Sequence, residues 1–363
     1  MSYRTKIKRI NFMVKSMYGG GAQRVILVLA QQFVKMGFQV RIITMYRKED
    51  YSIPKEIACY SLDIDEKNLS VEYNMSKLKQ ARAFLSFSEE DAFIIRSSSA
   101  SLYKYAMFLS EGIDTIKIAS MSNDPFMSPS TEHGRMERDR AFMEWKKING
   151  KFVFQTEYER NYFPVDIQEK SVIINNPLTT ELPDLCCSKK KKIVTVGRLT
   201  EQKNLPLLIC AFSDVIKKHP DYILEIYGEG ELRSSLEMLA NGLGVPVHFH
   251  GFSKSVLKEI SDAQVFVLSS NFEGVSNAML EALCLGIPSI CTDCPAYGAR
   301  KFITDHENGI LVPVNDREKL SEAIIELIEN ENLRSKLSKN SKKIISELKV
   351  ESICEEFIRL FGT

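Results

Sequence analysis

Short runs rich in β-branched and aromatic residues alternate with longer amphipathic runs along most of this 363-residue chain. The first short run covers residues 7–14, and an amphipathic stretch at 22–36 separates it from the next short run at 39–45. Strands separated by helices of about 10–15 residues predict parallel sheets with right-handed crossovers. The alternation therefore assigns the chain to the α/β class.

One interruption of this alternation predicts two domains. Before it, further strands are predicted at 57–62, 92–96, 115–120, 151–155 and 171–175, with helices at 72–87, 100–110 and 135–148. The interruption runs from Pro183 through the polar residues 186–192, which is typical of a linker. After it, strands are predicted at 193–196, 223–227, 247–250, 264–268 and 287–291, with helices at 205–218, 231–241, 254–261 and 277–285 and from 316 onward.

The sequence thus predicts two tandem Rossmann-like domains with a cleft between them, the first at 1–182 and the second at 183–349. At about 150 residues per domain, the length of the chain agrees with this number. In such sheets, ligands bind at the carboxyl ends of the strands.

Composition excludes several classes of protein. Hydrophobic residues make up 44% and charged residues 26%, which is usual for a globular chain and excludes a disordered or fibrous one. No uninterrupted apolar stretch approaches the roughly 20 residues of a membrane-spanning helix. The first residues also lack the apolar segment of a signal peptide. We therefore expect a soluble protein that faces the cytosol.

The cysteines and histidines do not indicate a metal site. The eight cysteines are scattered, which favours a reduced compartment over a disulfide framework. Cys291 and Cys294 form a lone C-x-x-C with no second ligand pair, so we interpret them as buried thiols rather than zinc ligands. The histidines at 219, 248, 250 and 306 resemble strand or helix-end residues, and no metal is expected.

Charge is distributed unevenly along the chain. The first 50 residues carry ten Lys and Arg against Glu49 and Asp50, a net charge of +8, whereas the whole chain has a net charge of +1. Nucleic acid would demand a stronger excess over a whole domain. A basic face that contacts an anionic membrane and an ordinary solvated face both agree with the pattern.

A glycine-rich stretch at 18–24 follows the first predicted strand and opens a helix. Glycines at such a place let the backbone approach a ligand, and the helix N-terminus offers N–H groups to an anion. The spacing is not G-x-G-x-x-G, and residues 39–47 supply no acidic side chain for a ribose, so a dehydrogenase is only weakly supported. A ligand loop and a tightly packed turn remain equal alternatives.

The stretch 197–204 lies between the first strand and the first helix of the second half. Its Arg198 and Lys203 are five residues apart across a turn at the carboxyl end of a strand. An arginine fork and a lysine point charge can converge on one anion, and a diphosphate fits both. Solvated surface charges are the alternative.

Two glutamates follow the strand predicted at 264–268. Glu273 lies on the turn before a helix, and Glu281 lies about one turn inside that helix. Two carboxylates at a strand exit can accept hydrogen bonds from sugar or ribose hydroxyls, while helix N–H groups can serve phosphate oxygens. Simple helix capping by a glutamate is the alternative, but it does not explain Glu281 within an apolar run.

Taken together, Gly197-Arg198-(x4)-Lys203 and Glu273-(x7)-Glu281 resemble glycosyltransferase family 4, retaining enzymes of the GT-B fold. The stretch 273–288 resembles the donor motif of the family, and 20–25 resembles its acceptor-side loop. The likeness covers motifs at both ends of the chain and is strongest at 192–330.

The resemblance implies a role for each matching residue. Arg198 and Lys203 would hold the donor diphosphate, Glu281 the ribose, and Glu273 the donor sugar. Further donor-binding residues would be Gly274, Val275, Ser276, Asn277, Gly228, Gly230 and Phe252, and the acceptor-side loop would use Gly20, Gly21 and Gln23. No metal or cofactor is implied, and a C-terminal helix at about 350–363 would cross back onto the first domain.

The chain departs from the family at one place. Many relatives have a histidine at the end of an N-terminal-domain strand, near the reacting carbon, where this chain has Asn123 and Asp124. We consider both as catalytic candidates beside Glu273 and the Arg–Lys pair. Good turn chemistry is the alternative explanation for Asn-Asp-Pro.

The activity that the resemblance implies is transfer of a hexose or N-acetylhexosamine from a nucleotide diphosphate sugar, a UDP-sugar, to a growing bacterial surface glycan such as capsule or O-antigen. The acceptor is expected to be lipid-linked, with the enzyme cytoplasmic and peripheral on the inner face of the cell membrane. The basic first 50 residues and the basic stretches at 77–82 and 135–151 favour membrane docking. An ordinary amphipathic core helix explains the stretch at 77–82, with its neighbours Leu78, Phe84, Leu85 and Phe87, equally well. A nucleotide-sugar 2-epimerase and a non-catalytic scaffold subunit are the alternatives.

Overall fold

The computed structural model describes residues 5–18, 20–47, 51–121, 123–178, 182–183 and 189–362. These residues form two compact units, unit 1 within 1–179 and 348–363 and unit 2 within 180–347. The sequence-based boundary between 182 and 183 lies three residues from the start of unit 2. Cys186 and Cys187, in the predicted linker, lie outside the described residues.

In the described part of unit 1, seven strands form one parallel sheet: β1 (Arg9–Val14), β2 (Gln39–Thr44), β3 (Ile57–Ser61), β4 (Asp91–Arg96), β5 (Ile116–Ser120), β6 (Lys151–Phe154) and β7 (Ser171–Ile173). Their order is β3-β2-β1-β4-β5-β6-β7, which reverses direction at β1 as in a Rossmann-like fold. The connecting helices are α1 (Gly21–Lys35), α2 (Met75–Leu85), α3 (Ala100–Leu109), α4 (Glu132–Lys147), α5 (Glu157–Asn161) and α6 (Val165–Gln168).

Unit 2 repeats this plan. Its described strands form a six-stranded parallel sheet of β8 (Lys190–Val196), β9 (Ile223–Tyr227), β10 (Val247–Gly251), β11 (Ala263–Leu268), β12 (Ser289–Thr292) and β13 (Ile310–Val312). The order is β10-β9-β8-β11-β12-β13. The helices are α7 (Leu205–Lys218), α8 (Arg233–Leu243), α9 (Val256–Ile260), α10 (Asn277–Cys284), α11 (Arg317–Glu329) and α12 (Glu331–Ser341).

The last helix, α13 (Val350–Arg359), returns to unit 1. It packs against α1, and Phe357 and Cys354 are buried in the same core as Phe33 of α1. The Nζ of Lys151, in β6, donates a hydrogen bond to the carbonyl oxygen of Leu360 at 2.6 Å. The predicted crossing of the C-terminal helix is therefore confirmed.

Alternating side chains of the unit 1 sheet build two cores. Phe12 of β1 points into a core shared with α1 and α13, whereas Met13 points into a second core with α2, α3 and α4. This follows from the period of two along a strand, which sends successive side chains to opposite faces. Trp145 of α4, the one tryptophan of the chain, is fully buried in the second core.

The start of β8 corrects one expectation. The predicted linker extends to residue 192, but β8 already begins at Lys190. A run of lysines enters a sheet only where the charges find partners. Here Lys190 and Lys192 pair with Asp262, and Lys191 pairs with Asp221. The last three residues of the polar run therefore belong to β8, where ion pairs satisfy their charges.

None of the helices in the described ranges is both long enough and apolar enough to cross a lipid bilayer.

Candidate functional site

The predicted donor-binding residues of unit 2 gather at one edge of one sheet. All its strands are parallel, so the carboxyl ends of neighbouring strands lie at the same edge. Residues 197–203 follow β8, 228–230 follow β9, Phe252 follows β10 and 273–277 follow β11. We call these segments the edge loops. They come from the four adjacent strands β10, β9, β8 and β11.

The edge loops after β8 and β9 are packed backbone to backbone. The N–H of Leu199 donates to the carbonyl oxygen of Glu229 at 2.9 Å. A Cβ on Gly228, whose φ is +135°, would overlap the carbonyl oxygen of Gly197. A Cβ on Gly230 would likewise overlap that of Leu199. Only glycine permits this approach, so both predicted glycines have a steric reason to be there.

The edge loops after β8 and β11 are joined by hydrogen bonds. The N–H of Asn271 donates to the carbonyl oxygen of Gln202 at 2.8 Å, and the Oγ of Ser269 donates to that of Lys203 at 2.9 Å. The Asn204 side chain donates to Asn271 Oδ1 at 2.8 Å. These bonds fix the backbone of Lys203 against the loop that carries Glu273.

At the centre of the edge loops, Lys203 and Glu273 form an ion pair between Nζ and Oε1. Their side chains are 13% and 12% exposed, so the pair is sheltered without being sealed. The Oγ of Ser270 donates to the same carboxylate oxygen at 2.9 Å. Arg198 is exposed, and its Nη2 contacts Gln202 Oε1 at 3.4 Å. Neighbouring edge loops thus carry two cations, which can bind an anion, and one carboxylate, which can accept from a hydroxyl group.

Helix α10 follows the last edge loop. Ser276 caps it by accepting a hydrogen bond from the N–H of Met279 at 3.5 Å, and Gly274 and Val275 before it are buried. Asn277 is the first helical residue, and Glu281 lies one turn further, only 3% exposed. Glutamate is rarely buried to this degree unless it has a partner. The burial agrees with the position of Glu281 within an apolar run of the sequence.

The cysteines of unit 2 lie behind these loops. Burial raises the pKa of Cys294 to about 12, and it also raises the pKa of Cys291 far above its ordinary value. Cys294 donates from Sγ to the carbonyl oxygen of Ser270 at 3.2 Å. Both thiols are buried, as the sequence predicted.

In unit 1, the predicted acceptor-side loop forms the N-terminus of α1. Gly20 is the N-cap with a φ of +91°, and the helix starts at Gly21. The Tyr51 hydroxyl donates to the carbonyl oxygen of Gly20 at 3.2 Å. A Cβ on Gly20 would lie 3.0 Å from Oε1 of Gln23, so this side chain folds back over the turn. The loop is at the carboxyl end of β1, where ligands of such sheets bind.

Asn123 and Asp124 follow β5 and form a turn. The Asp124 carboxylate accepts from the N–H of Phe126 at 2.9 Å, and Asn123 Oδ1 accepts from the N–H of Asp124 at 2.9 Å. Asp124 is 2% exposed, and burial raises its pKa above the ordinary carboxyl range. Side-chain oxygens that accept from nearby backbone N–H groups are typical of a turn, which was the alternative explanation for Asn-Asp-Pro.

Arg138 of α4 corrects part of the charge analysis, which assigned it to a basic surface. It is fully buried, and its guanidinium donates to the carbonyl oxygen of Pro125 at 2.8 Å and lies 5.0 Å from the ring centroid of Tyr162. It therefore holds the turn after β5 from within the core. The helical spacing to Ala141, Phe142 and Trp145, all buried, could have identified it.

Sequence analysis also missed the polar residues that position the central ion pair. Ser270 contacts Glu273, and the side-chain amide of Gln202 donates to the carbonyl oxygen of Phe272 at 3.1 Å. Both lie within or beside the motifs already singled out. Their positions within the motifs could have singled them out as candidates. The contact of Gln202 with Phe272 could not have been predicted, because the two residues are 70 positions apart in sequence.

Comparison with known proteins shows which proteins this chain resembles. Residues 186–344 match the family model described as "Glycosyl transferases group 1". Along 98% of both chains, this protein is 25% identical to a Campylobacter jejuni enzyme named GalNAc-alpha-(1->4)-GalNAc-alpha-(1->3)-diNAcBac-PP-undecaprenol alpha-1,4-N-acetyl-D-galactosaminyltransferase. A second C. jejuni enzyme, N-acetylgalactosamine-N,N'-diacetylbacillosaminyl-diphospho-undecaprenol 4-alpha-N-acetylgalactosaminyltransferase, is 26% identical over 93% of this chain and 94% of its own. This chain is a glycosyltransferase.

Solved structures agree with the GT-B fold predicted for this glycosyltransferase. A mutant of S. aureus TarM, in complex with Fondaparinux, alpha-GlcNAc-glycerol and UDP, has a TM-score of 0.80 at 15% identity, covering 98% of this chain and 100% of that one. The pneumococcal O-GlcNAc transferase GtfA, in complex with UDP and GlcNAc, has a TM-score of 0.79 at 16% identity, covering 98% and 99%. The predictions of a two-domain GT-B fold and of a glycosyltransferase enzyme are confirmed.

Proposed function

We propose that this glycosyltransferase is a retaining enzyme of family 4. Its reaction is transfer of a hexose or N-acetylhexosamine from a UDP-sugar to a lipid-linked glycan of the capsule or O-antigen type. The names of the two C. jejuni relatives specify undecaprenol-linked acceptors and an N-acetylgalactosaminyl group. Several structurally similar proteins were solved with UDP, which supports uridine as the base of the donor.

The ion pair between Lys203 and Glu273 carries this proposal. Without a donor, the ammonium and the carboxylate neutralise each other in a sheltered position. A nucleotide sugar offers a partner to each: its diphosphate accepts from Lys203, and a sugar hydroxyl donates to Glu273. The exposed Arg198, with only a long contact to Gln202, can turn to the same diphosphate. When the donor binds, the ion pair between Lys203 and Glu273 is thus replaced by two sets of contacts. The cations contact the diphosphate on one side of the bond that breaks, and Glu273 contacts the sugar on the other.

The two cations also support the chemical step. As the bond between the anomeric carbon and the phosphate oxygen breaks, negative charge grows on the departing diphosphate, and Arg198 and Lys203 stabilise it. The acceptor oxygen forms its bond to the anomeric carbon on the same face, and its proton passes to the leaving phosphate oxygen. Glu281 binds the ribose hydroxyls in this scheme.

Replacement of Lys203 by Ala tests the proposal. We expect turnover of the donor to fall by about 10²–10³-fold, the usual loss when one group that stabilises developing charge is removed. Thermal stabilisation by UDP should fall in parallel and should exceed that by GDP or ADP in the wild type. Lys217→Ala is the matched control, since Lys217 is an exposed α7 residue paired with the nearby Asp214.

A second variant separates ligand binding from folding. In Lys203→Ala, Glu273 is left sheltered without its cation, which destabilises the loop by itself. The double variant Lys203→Met with Glu273→Gln leaves no unpaired charge, so it should unfold near the wild-type temperature and still lose UDP binding. Turnover near the wild-type value in either variant would refute the assigned donor site.

We further propose that unit 1 docks on an anionic membrane, where a lipid-linked acceptor resides. Phe84 of α2 is 72% exposed and stacks on Tyr60 at 5.4 Å between ring centroids. Lys77 lies two helical turns before Phe84 on the same face of α2, and its Nζ donates to the carbonyl oxygen of Asp63. We call Tyr60, Lys77 and Phe84 the α2 patch. Leu78, which lies within the basic stretch 77–82, is buried in the core.

A further inference from the structure

Strands β9 and β10 place three metal-ligating side chains on one face of the unit 2 sheet. His248 and His250 are two residues apart in β10, so both point to the same side. Parallel pairing sets Glu225 of β9 opposite His248. One ligand atom from each of the three residues lies within 4.8 Å of the others.

Hydrogen bonds orient the carboxylate of this cluster. The Tyr227 hydroxyl and the Nζ of Lys192 both donate to Oε2 of Glu225 at 3.0 Å. The other oxygen, Oε1, faces Nε2 of His250 at 3.9 Å. The charge of Lys192 is offset by Asp262, whose Oδ1 lies 2.6 Å away. Such outer hydrogen bonds are how proteins fix a ligating carboxylate.

The imidazoles differ in how firmly they are held. The ring of His250 stacks on that of Tyr227, with centroids 4.5 Å apart and an angle of 9° between planes. Both histidines are exposed, and the ring of His248 meets that of His250 edge to face, with centroids 6.2 Å apart. A tetrahedral ion with bonds of about 2.0–2.2 Å needs ligand atoms about 3.4 Å apart. Because Nε2 of His250 is 3.9 Å from Oε1 of Glu225 and no ligand atom is more than 4.8 Å from another, small rotations of the two exposed histidine side chains suffice to reach this spacing.

We propose that Glu225, His248 and His250 bind Zn²⁺ or a similar divalent transition ion. Two imidazoles and a carboxylate are a donor set that such ions favour, whereas Mg²⁺ prefers oxygen ligands alone. The ion joins the outermost strand of the sheet, β10, to β9, and water completes its coordination at the exposed side. The sequence analysis interpreted these histidines as strand or helix-end residues and did not consider Glu225, whose place opposite His248 depends on the pairing of β9 with β10.

Calorimetric titration of the chelator-treated protein with ZnCl₂ tests this site. We expect one ion per chain, and a loss of affinity of at least about tenfold in both His248→Ala and His250→Ala. His219→Ala and His306→Ala are matched controls, because each of these histidines also contacts a carboxylate but has no second imidazole in its cluster. Both controls should bind zinc as the wild type does.

Cobalt and UDP supply two further measurements. Co²⁺ bound at this site should show the visible absorption of nitrogen and oxygen ligands, without a thiolate charge-transfer band. The histidine variants should retain stabilisation by UDP, so that loss of the metal site is distinguishable from loss of the proposed donor site. The proposal is overturned if the wild type binds no zinc, if both histidine variants bind it unchanged, or if a thiolate band appears.

Discussion

Gly228 and Gly242 belong to the same unit but differ in what surrounds their backbones. Gly228 has a φ of +135° and abuts the carbonyl of Gly197, whereas a Cβ on Gly242, in helix α8, would have no atom within 4 Å beyond its chain neighbours and the backbone of its own helix. Gly228→Ala should therefore lower the unfolding temperature of unit 2 and weaken UDP binding. Gly242→Ala should stabilise the protein by about 0.5–1 kcal/mol, because alanine favours the helix.

Thermal unfolding followed by circular dichroism, with and without UDP, measures both effects. If Gly228→Ala binds UDP as the wild type does, close contact between the backbones of Gly228 and Gly197 is not needed for UDP binding.

Single residues also show how far sequence reasoning extends into the site. The strand–loop–helix pattern placed Lys203 and Glu273 at the same sheet edge because both follow parallel strands. Their direct contact spans 70 residues of sequence and depends on backbone bonds between the two loops, which no local pattern encodes. Arg138 was misplaced for a related reason, since a charge in a polar helix is usually solvated and only tertiary contacts show otherwise.

At the scale of single elements, α13 supplies part of the core of unit 1. Apart from residues 348–363, that unit lies within residues 1–179. Phe357 is 2% exposed in the cluster that contains Phe33. Phe357→Ala should cost about 3–5 kcal/mol of the free energy of unfolding of unit 1. Arg359→Ala, at an exposed site on the same helix, should change it by less than about 0.5 kcal/mol.

Denaturation followed by tryptophan fluorescence measures this change selectively. Trp145 is the only tryptophan and is buried in unit 1, so its emission reports on that unit. An unchanged fluorescence transition in Phe357→Ala would contradict a stabilising role for α13.

The longer helices and strands were predictable because the spacing of their apolar residues is regular. Their ends were predicted less well, because a single residue can start or stop a helix. Helix α4 starts three residues earlier than predicted, at Glu132, because Thr131 caps it by accepting from the N–H of Gly134. Helix α2 ends early at Leu85, since Ser86 has a left-handed conformation. The three-residue strand β13 was missed because Ile310–Val312 is too short to show alternation and forms only by pairing with β12.

At the scale of the whole molecule, the proposed membrane contact predicts retention on lipid vesicles. Vesicles of phosphatidylcholine with phosphatidylglycerol should sediment the protein at low salt, and neutral vesicles should sediment less of it. Phe84→Ser and Lys77→Glu, both in the α2 patch, should each reduce the bound fraction, by about fivefold or more for the charge reversal.

Met238→Ser is the control for this experiment, because Met238 is 69% exposed but lies in unit 2. Equal binding to neutral and anionic vesicles, or equal loss in the control, would remove the α2 patch from the proposal.

The return of α13 to unit 1 has a consequence for how the protein is made. A ribosome that adds about 5–20 residues per second completes residues 180–347 before it reaches 348, an interval of roughly 10–30 s. During that interval, the apolar surface around Phe33 and Phe38 lacks the helix that later covers it. Unit 2 has all its residues first, so the second half of the chain can fold on the ribosome while the first half still awaits its last piece. We therefore expect nascent unit 1 to keep part of its apolar core uncovered until α13 has been made.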